Sequence, residues 1–160
     1  MTSEPLRQKG RRIGSERANL RVVRPVLKEI QRGECFYCRK SLKGAQPHVD
    51  HFIPWSRYPV DLGHNFVLSH STCNGKKSDR LAATKHLERW VQQCDQHGGD
   101  IGNELEHKGV ACNLSTSVRI ANWAYRQTYD VKGLTWLKGD QLVALDEGWD
   151  GVLDAVLRCG

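Results

Sequence analysis

A chain of 160 residues, 39% hydrophobic and 26% charged, is long enough for one domain with its own core, or for a small module plus an extension. Its charge of +6 is uneven: residues 1–43 hold 12 Lys/Arg against 4 Asp/Glu, residues 44–80 hold 4 against 3, and residues 81–160 hold 8 against 11. No apolar run of signal-peptide type follows Met1 and no stretch reaches transmembrane length, so a membrane protein is excluded and a soluble chain of a reducing cytoplasm is expected.

The basic N-terminal end suits a polyanion, because each neutralised phosphate releases condensed counterions; the plainer reading is a solvated tail. Residues 1–24 are expected to be a basic arm with a helix from Ser15 to about Arg24, after which Pro25 breaks the pattern or opens a fresh turn. Val26, Leu27 and Ile30 then give a short amphipathic segment ended by Gly33. His48–Ile53 is strand-like and stops at Pro54, and Asn65–Ser69 is a second short strand. Asn74-Gly75 is turn chemistry, and Ser78-Asp79 would cap a helix running to about His97, with Gly98-Gly99 ending it. On that helix Leu87, Trp90, Val91 and Cys94 fall at i, i+3, i+4 and i+7, a core-facing stripe. A helix from about Ser115 or Ser117 to Tyr129, a hairpin of Leu134–Leu137 with Leu142–Leu145, and a last helix over Trp149–Leu157 complete the chain. Trp90, Trp123, Trp136 and Trp149 read as core of this C-terminal half.

Six cysteines in a reducing compartment, where two of them stand as a close pair, favour a metal over disulfides. Cys35-x2-Cys38 and His70-x2-Cys73 form two knuckles, and such two-residue gaps let both ligands of a pair reach one tetrahedral Zn²⁺. A redox pair at Cys35/Cys38 is the competing reading, but it lacks a βαβ context and leaves His70 and Cys73 unexplained. Cys94, His97, His107 and Cys112 are a weaker second combination, with buried idle thiols the simpler account.

Between and beside the knuckles lie groups suited to hydrolysing a phosphodiester. Asp50 and Asn74 are oxygen donors of the kind Mg²⁺ or Mn²⁺ accepts. His51 is a general base whose ordinary pKa lies near working pH. Asn65 offers an amide to fix a loop or orient the imidazole. Lys76 and Lys77 would meet phosphates, as would Arg57, for which stacking on Trp55 or Tyr58 is an equal alternative. His48 is a partner for Asp50 or a half-exposed strand residue, and His64 reads as a loop residue. Neighbours on a regular strand point to opposite faces, so Asp50 and His51 converge only where the strand ends or bulges.

At CFYC, VDHFIP, HNFVLS and HSTCNGKK, in that order, the chain resembles the HNH endonucleases of the ββα-metal fold. The resemblance implies an α+β fold: an HNH core over residues 25–80, flanked by an N-terminal helix and a mostly helical extension over 81–160. It implies His51 as the base that activates water, Asp50 and Asn74 as ligands of one Mg²⁺-type ion, and Asn65 as the brace of the loop. Cys35, Cys38, His70 and Cys73 match the family's structural zinc. Two positions depart from the usual pattern: Asn74 replaces the family's final His, which turns the ion preference towards Mg²⁺ or Mn²⁺, and His70 replaces a common Cys. DNA is the implied substrate, cut to a 5′-phosphate and a 3′-hydroxyl. A setting in phage defence or restriction, with a partner such as a defence-system ATPase, follows by family analogy. The alternative is a zinc-stabilised nucleic-acid-binding module that does not cut. The acidic 81–160 half is not expected to be the main DNA-gripping surface.

Overall fold

A computed structural model describes residues 17–158; the expected arm over 1–14, the Ser15 cap and Cys159 lie outside them. Helix α1 (Leu20–Ile30) is capped by the Asn19 side chain, which accepts from the backbone N–H of Arg21. Pro25 neither breaks it nor opens a fresh turn. It stands six residues into the helix, where its ring removes one backbone bond while Val23, Val26 and Leu27 remain buried on one face. Packing of that face outweighs the missing bond. The helix ends with Arg32 and Gly33 at φ of 54° and 70°, and the Gly33 N–H returns to the Lys28 carbonyl.

Strand β1 (His48–His51) pairs antiparallel with β2 (Phe66–Ser69), His48 opposite Ser69 and His51 opposite Phe66. A 3₁₀ turn at Gly63–Asn65 leads into β2, and α2 (Ser71–Lys77) follows it directly. This is a ββα unit. The expected turn at Asn74-Gly75 lies inside α2, and the chain breaks at Ser78, whose φ is 53°. Gly63 is needed for close approach: a Cβ there would meet Cys112 Sγ at 2.3 Å and Leu105 at 2.8 Å.

Helix α3 (Thr84–His107) is longer than its sequence suggests, because Gly98-Gly99 does not stop it. Gly98 is buried against His64 and Leu114, and its carbonyl pairs with His64 Nε2 at 2.8 Å, so that glycine serves close packing rather than termination. The stripe Leu87, Trp90, Val91 and Cys94 is buried as expected. Helix α4 (Leu114–Asp130), the hairpin β3 (Leu134–Lys138) with β4 (Gln141–Ala144), and α5 (Trp149–Leu157) complete the α+β fold. Trp90, Trp136 and Trp149 are core, but Trp123 is 44% exposed on the outer face of α4.

One continuous core joins the ββα unit to the C-terminal helices. Phe52, just past β1, stacks on Trp90 of α3 with ring centroids 5.3 Å apart, and Trp90 Nε1 donates to the His64 carbonyl at 2.9 Å. The extension thus fixes the backbone on either side of the loop between β1 and β2. Among the described residues no helix is long and apolar enough to cross a membrane.

Candidate metal cage and hydrolytic centre

The first knuckle is a tight turn. The Cys35 N–H bonds the Lys40 carbonyl, the Arg39 N–H bonds the Cys35 carbonyl, and Arg39 itself is at φ 64°. The second knuckle is the entry to α2, with His70 at its N-cap and Cys73 in its first turn. The Phe36 N–H donates to the Leu68 carbonyl, which clamps the first knuckle to β2 just ahead of the second.

The ligand atoms of Cys35, Cys38, His70 and Cys73 lie within 4.8 Å of one another, and Cys38 Sγ is 3.3 Å from His70 Nδ1. A zinc–sulfur bond of about 2.3 Å in a tetrahedron sets neighbouring ligands just under about 4 Å apart, so the set fits one ion. His70 is already oriented for it. Its Nε2–H donates to the Ser41 carbonyl at 3.1 Å, which leaves Nδ1 as the lone pair facing the sulfurs. Burial, then the neighbouring Cys35 and Cys38 sulfurs, push the Cys73 thiol up to about 12. A thiol so placed ionises readily only beside a cation. Among the described residues this is the one group of metal-ligating side chains; Cys94 and Cys112, the thiols of the second combination, join no such group.

Asp50 and His51 are the last two residues of β1, paired in regular register with Val67 and Phe66, so their side chains leave the strand on opposite faces. His51 is half-buried, its side chain 13% exposed, between Phe66 and Trp55. Its Nε2 lies 2.6 Å from Asp61 Oδ1. An Nε2–H donating to that carboxylate leaves Nδ1 free to take a proton, and Nδ1 has no protein partner among the described residues. Asp61 is in turn held by the Ala18 N–H and by Arg17 at 3.4 Å, and Arg17 stacks on Trp55 at 4.0 Å. The start of the described chain therefore reaches the His51 carboxylate partner.

Asp50 is buried on the other side. Its Oδ2 accepts from the Tyr37 hydroxyl and pairs with Lys77 Nζ at 3.2 Å, while Oδ1 has no partner among the described residues. Lys77 does not stand where a phosphate would reach it. It is fully buried, and its ammonium also donates to the His51 carbonyl at 3.1 Å, tying α2 to the end of β1. Burial pulls Lys77 down from the usual lysine range, and the Asp50 carboxylate opposes that pull. Burial, then Asp50, raise Tyr37 well above its ordinary value, so it stays a hydrogen donor.

Asn74 lies three residues before Lys77 on α2, hence on nearly the same face, and its side chain has no partner among the described residues. Asn65 grips the loop with both ends of its amide: Oδ1 accepts from the Ile53 N–H at 2.8 Å and Nδ2 donates to the Ile53 carbonyl at 3.0 Å. Its backbone carbonyl also takes the Phe52 N–H. Arg57 is half-buried in the turn after Pro54 and forms no ion pair among the described residues, whereas Lys76 is exposed and pairs with Asp140 at 2.7 Å. His48 is exposed at the far end of β1, two residues from Asp50, and His64 is buried against Gly98.

Two contributors carry no sequence motif. Asp61 is a lone carboxylate in a Pro- and Gly-punctuated loop ten residues after His51, and Tyr37 is a spacer residue of the first knuckle. Only an unpaired acid close downstream of the Asp-His pair hinted at Asp61.

No curated protein matches the chain. The HNH endonuclease family model matches residues 35–80, the stretch from the first cage ligand to just beyond α2. Nucleases of this family are generally metal-dependent hydrolases acting on nucleic acid. Between Cys35 and Arg80 this chain is thus similar to the HNH endonuclease family.

Proposed function

We propose that the chain is an endonuclease that hydrolyses DNA phosphodiester bonds with one Mg²⁺- or Mn²⁺-type ion and one structural Zn²⁺. The observation that carries this reading is the His51–Asp61 pair at 2.6 Å at the end of the strand that also bears Asp50. A plain binding module has no use for a carboxylate-oriented imidazole with one nitrogen left free.

In this reading His51 Nδ1 takes the proton from a water attacking phosphorus. Asp61 holds the ring in the required tautomer and steadies the imidazolium that forms, the logic of a carboxylate behind a catalytic His. Asp50 Oδ1 and the Asn74 amide oxygen would hold the divalent ion, which when bound supplies positive charge to the phosphate and the leaving oxygen. Asn65 keeps the Phe52–Ile53 backbone fixed beside them. Exposed Lys76 and half-buried Arg57 are the phosphate contacts, and Lys77 acts through Asp50 instead. The cytoplasm suits a cage of three thiols. A role in phage defence or restriction beside an ATPase partner has the family resemblance as its support.

One observation favours the alternative of a zinc-stabilised binder: the Lys77 ammonium already occupies Asp50 Oδ2, which weakens what that carboxylate offers a divalent ion. Supercoiled plasmid incubated with the zinc-loaded protein and Mg²⁺ or Mn²⁺ separates the two. Conversion to nicked or linear DNA is the expected result. Binding without conversion across both ions and across linear and supercoiled forms would leave the binder.

A further inference from the structure

We infer that the groove between the zinc cage and the β3–β4 hairpin is a second phosphate-binding surface, which grips the DNA backbone away from the bond being cut. This rests on the nuclease reading above and adds a function for the C-terminal extension. The groove encloses about 490 Å³. Its lining brings six cations from four separate places in the chain: Arg39 and Lys40 from the first knuckle, Lys76 from α2, Lys85 and Arg89 from α3, and Lys138 from β3. No Asp or Glu lines it.

That convergence runs against the composition. Residues 81–160 are net acidic, yet the three cations they send here arrive without a lining acid. Two of the six have carboxylate partners at the rim, Arg39 with Glu34 at 3.4 Å and Lys76 with the exposed Asp140. Lys40, Lys85 and Lys138 form no ion pair among the described residues. Arg89 is held in place by its own bonds to the Phe36 and Tyr37 carbonyls, so its charge is fixed rather than free to swing into bulk solvent. Trp136 forms part of the apolar floor. Like charges collected without acids repel one another, and a polyanion relieves that repulsion by counterion release.

Position decides which phosphates these are. Thr72, Cys73 and Lys76 line the groove from α2, whereas Lys77 is buried and turned towards the end of β1. A phosphate in the groove is therefore separated from Asp50 by the Tyr37 ring, which lines the groove and whose hydroxyl bonds that carboxylate. Duplex DNA is wide enough to span that separation. The groove would supply register and affinity without reading bases, as backbone contacts do.

The test is the triple variant Lys40→Gln/Lys85→Gln/Lys138→Gln, with zinc content and melting temperature measured first to establish that it is folded. Binding to a fluorescent 30-base-pair duplex is read by anisotropy without Mg²⁺ or Mn²⁺, across a salt series. The expected result is about 10-fold to 100-fold weaker binding, with the log–log salt slope shallower by about 2 to 3, near 0.9 for each lost phosphate contact. An unchanged affinity and slope in the folded variant overturns the groove; a groove built for an acidic protein surface gives that same result. Because binding is read without cutting, the two ideas fail separately. Wild-type protein that shows the expected difference but never cuts removes the nuclease reading and keeps the groove. A wild type that cuts while the variant binds like it does the reverse, and a wild type that binds no duplex overturns both.

Discussion

The zinc cage and the His51 centre belong to one ββα unit but are assembled by different means. Each half of the cage is local: two ligands on one turn, spaced so that geometry leaves little choice. The centre is non-local. Asp50 and His51 come from the end of β1, Asn74 from α2, Asp61 from the loop, and the partners that hold them include Tyr37, Lys77, Arg17 and Ala18. The cage thus needs two knuckles joined through β2 and few other side chains, whereas the centre draws on partners from all around it. Damage to the first should unfold the domain, and damage to the second should spare the fold and alter the chemistry.

The largest effect tests the cage. Replacing Cys73 by Ser, or withdrawing zinc with a strong chelator, should abolish cooperative unfolding of the 35–80 region, since binding of a structural zinc contributes on the order of 10 kcal/mol to small domains. Loss of the ellipticity and melting transition with zinc release is the expected record; an unchanged melt would show that the cage does not hold the fold.

Lys77 is the exception in the second region, because its ammonium is buried in the fold as well as paired with Asp50. Lys77→Met leaves Asp50 buried without its cation and should cost about 3–5 kcal/mol of stability, measured by urea denaturation. The salt slope of DNA binding should stay as in the wild type, because this ammonium never faces solvent. A flattened slope with normal stability would return Lys77 to the phosphates.

A smaller loss comes with acid. Burial first, and then the Arg89 and Lys85 charges, lower His86 to about 4, while its bond to the Leu137 carbonyl opposes them. The unfolded chain, with an ordinary imidazole near about 6.5, then binds the proton before the folded one does. Stability is intact above about pH 6.5 and falls as the pH drops towards 4, by up to about 3 kcal/mol. His64, lowered by its own burial, adds in the same direction. His86→Gln should flatten that part of the stability–pH curve; a wild-type curve already flat from pH 7 to 4.5 would contradict the assignment.

The smallest change is confined to chemistry. Asp61→Asn should slow cutting by about 10-fold to 100-fold with zinc content unchanged, because the imidazole loses the group that sets its tautomer. The wild-type rate in Asp61→Asn would mean that the 2.6 Å contact is only structural.

The same contrast explains what could be read before the fold was known. Ligand spacing exposes the cage, and the order of Asp-His, Asn and Asn-x-x-Lys exposes the chemistry-bearing residues, since both are patterns along the chain. Asp61 and Tyr37 were not legible because their roles exist only across space. Lys77 was misjudged for the same reason: a lysine in the last turn of a short helix reads as surface until the helix is seen to press it on Asp50. Pro25 and Gly98-Gly99 misled as breakers because tertiary packing outweighs local preference, through the buried face of α1 and the approach of His64 to Gly98.

The most direct measurement compares metal-dependent plasmid cutting by wild type and His51→Ala, each with its zinc content and melting temperature determined. The account predicts loss of at least about 100-fold in cutting, with zinc and melting temperature as in the wild type. Cutting at the wild-type rate by a folded, zinc-loaded His51→Ala would contradict it.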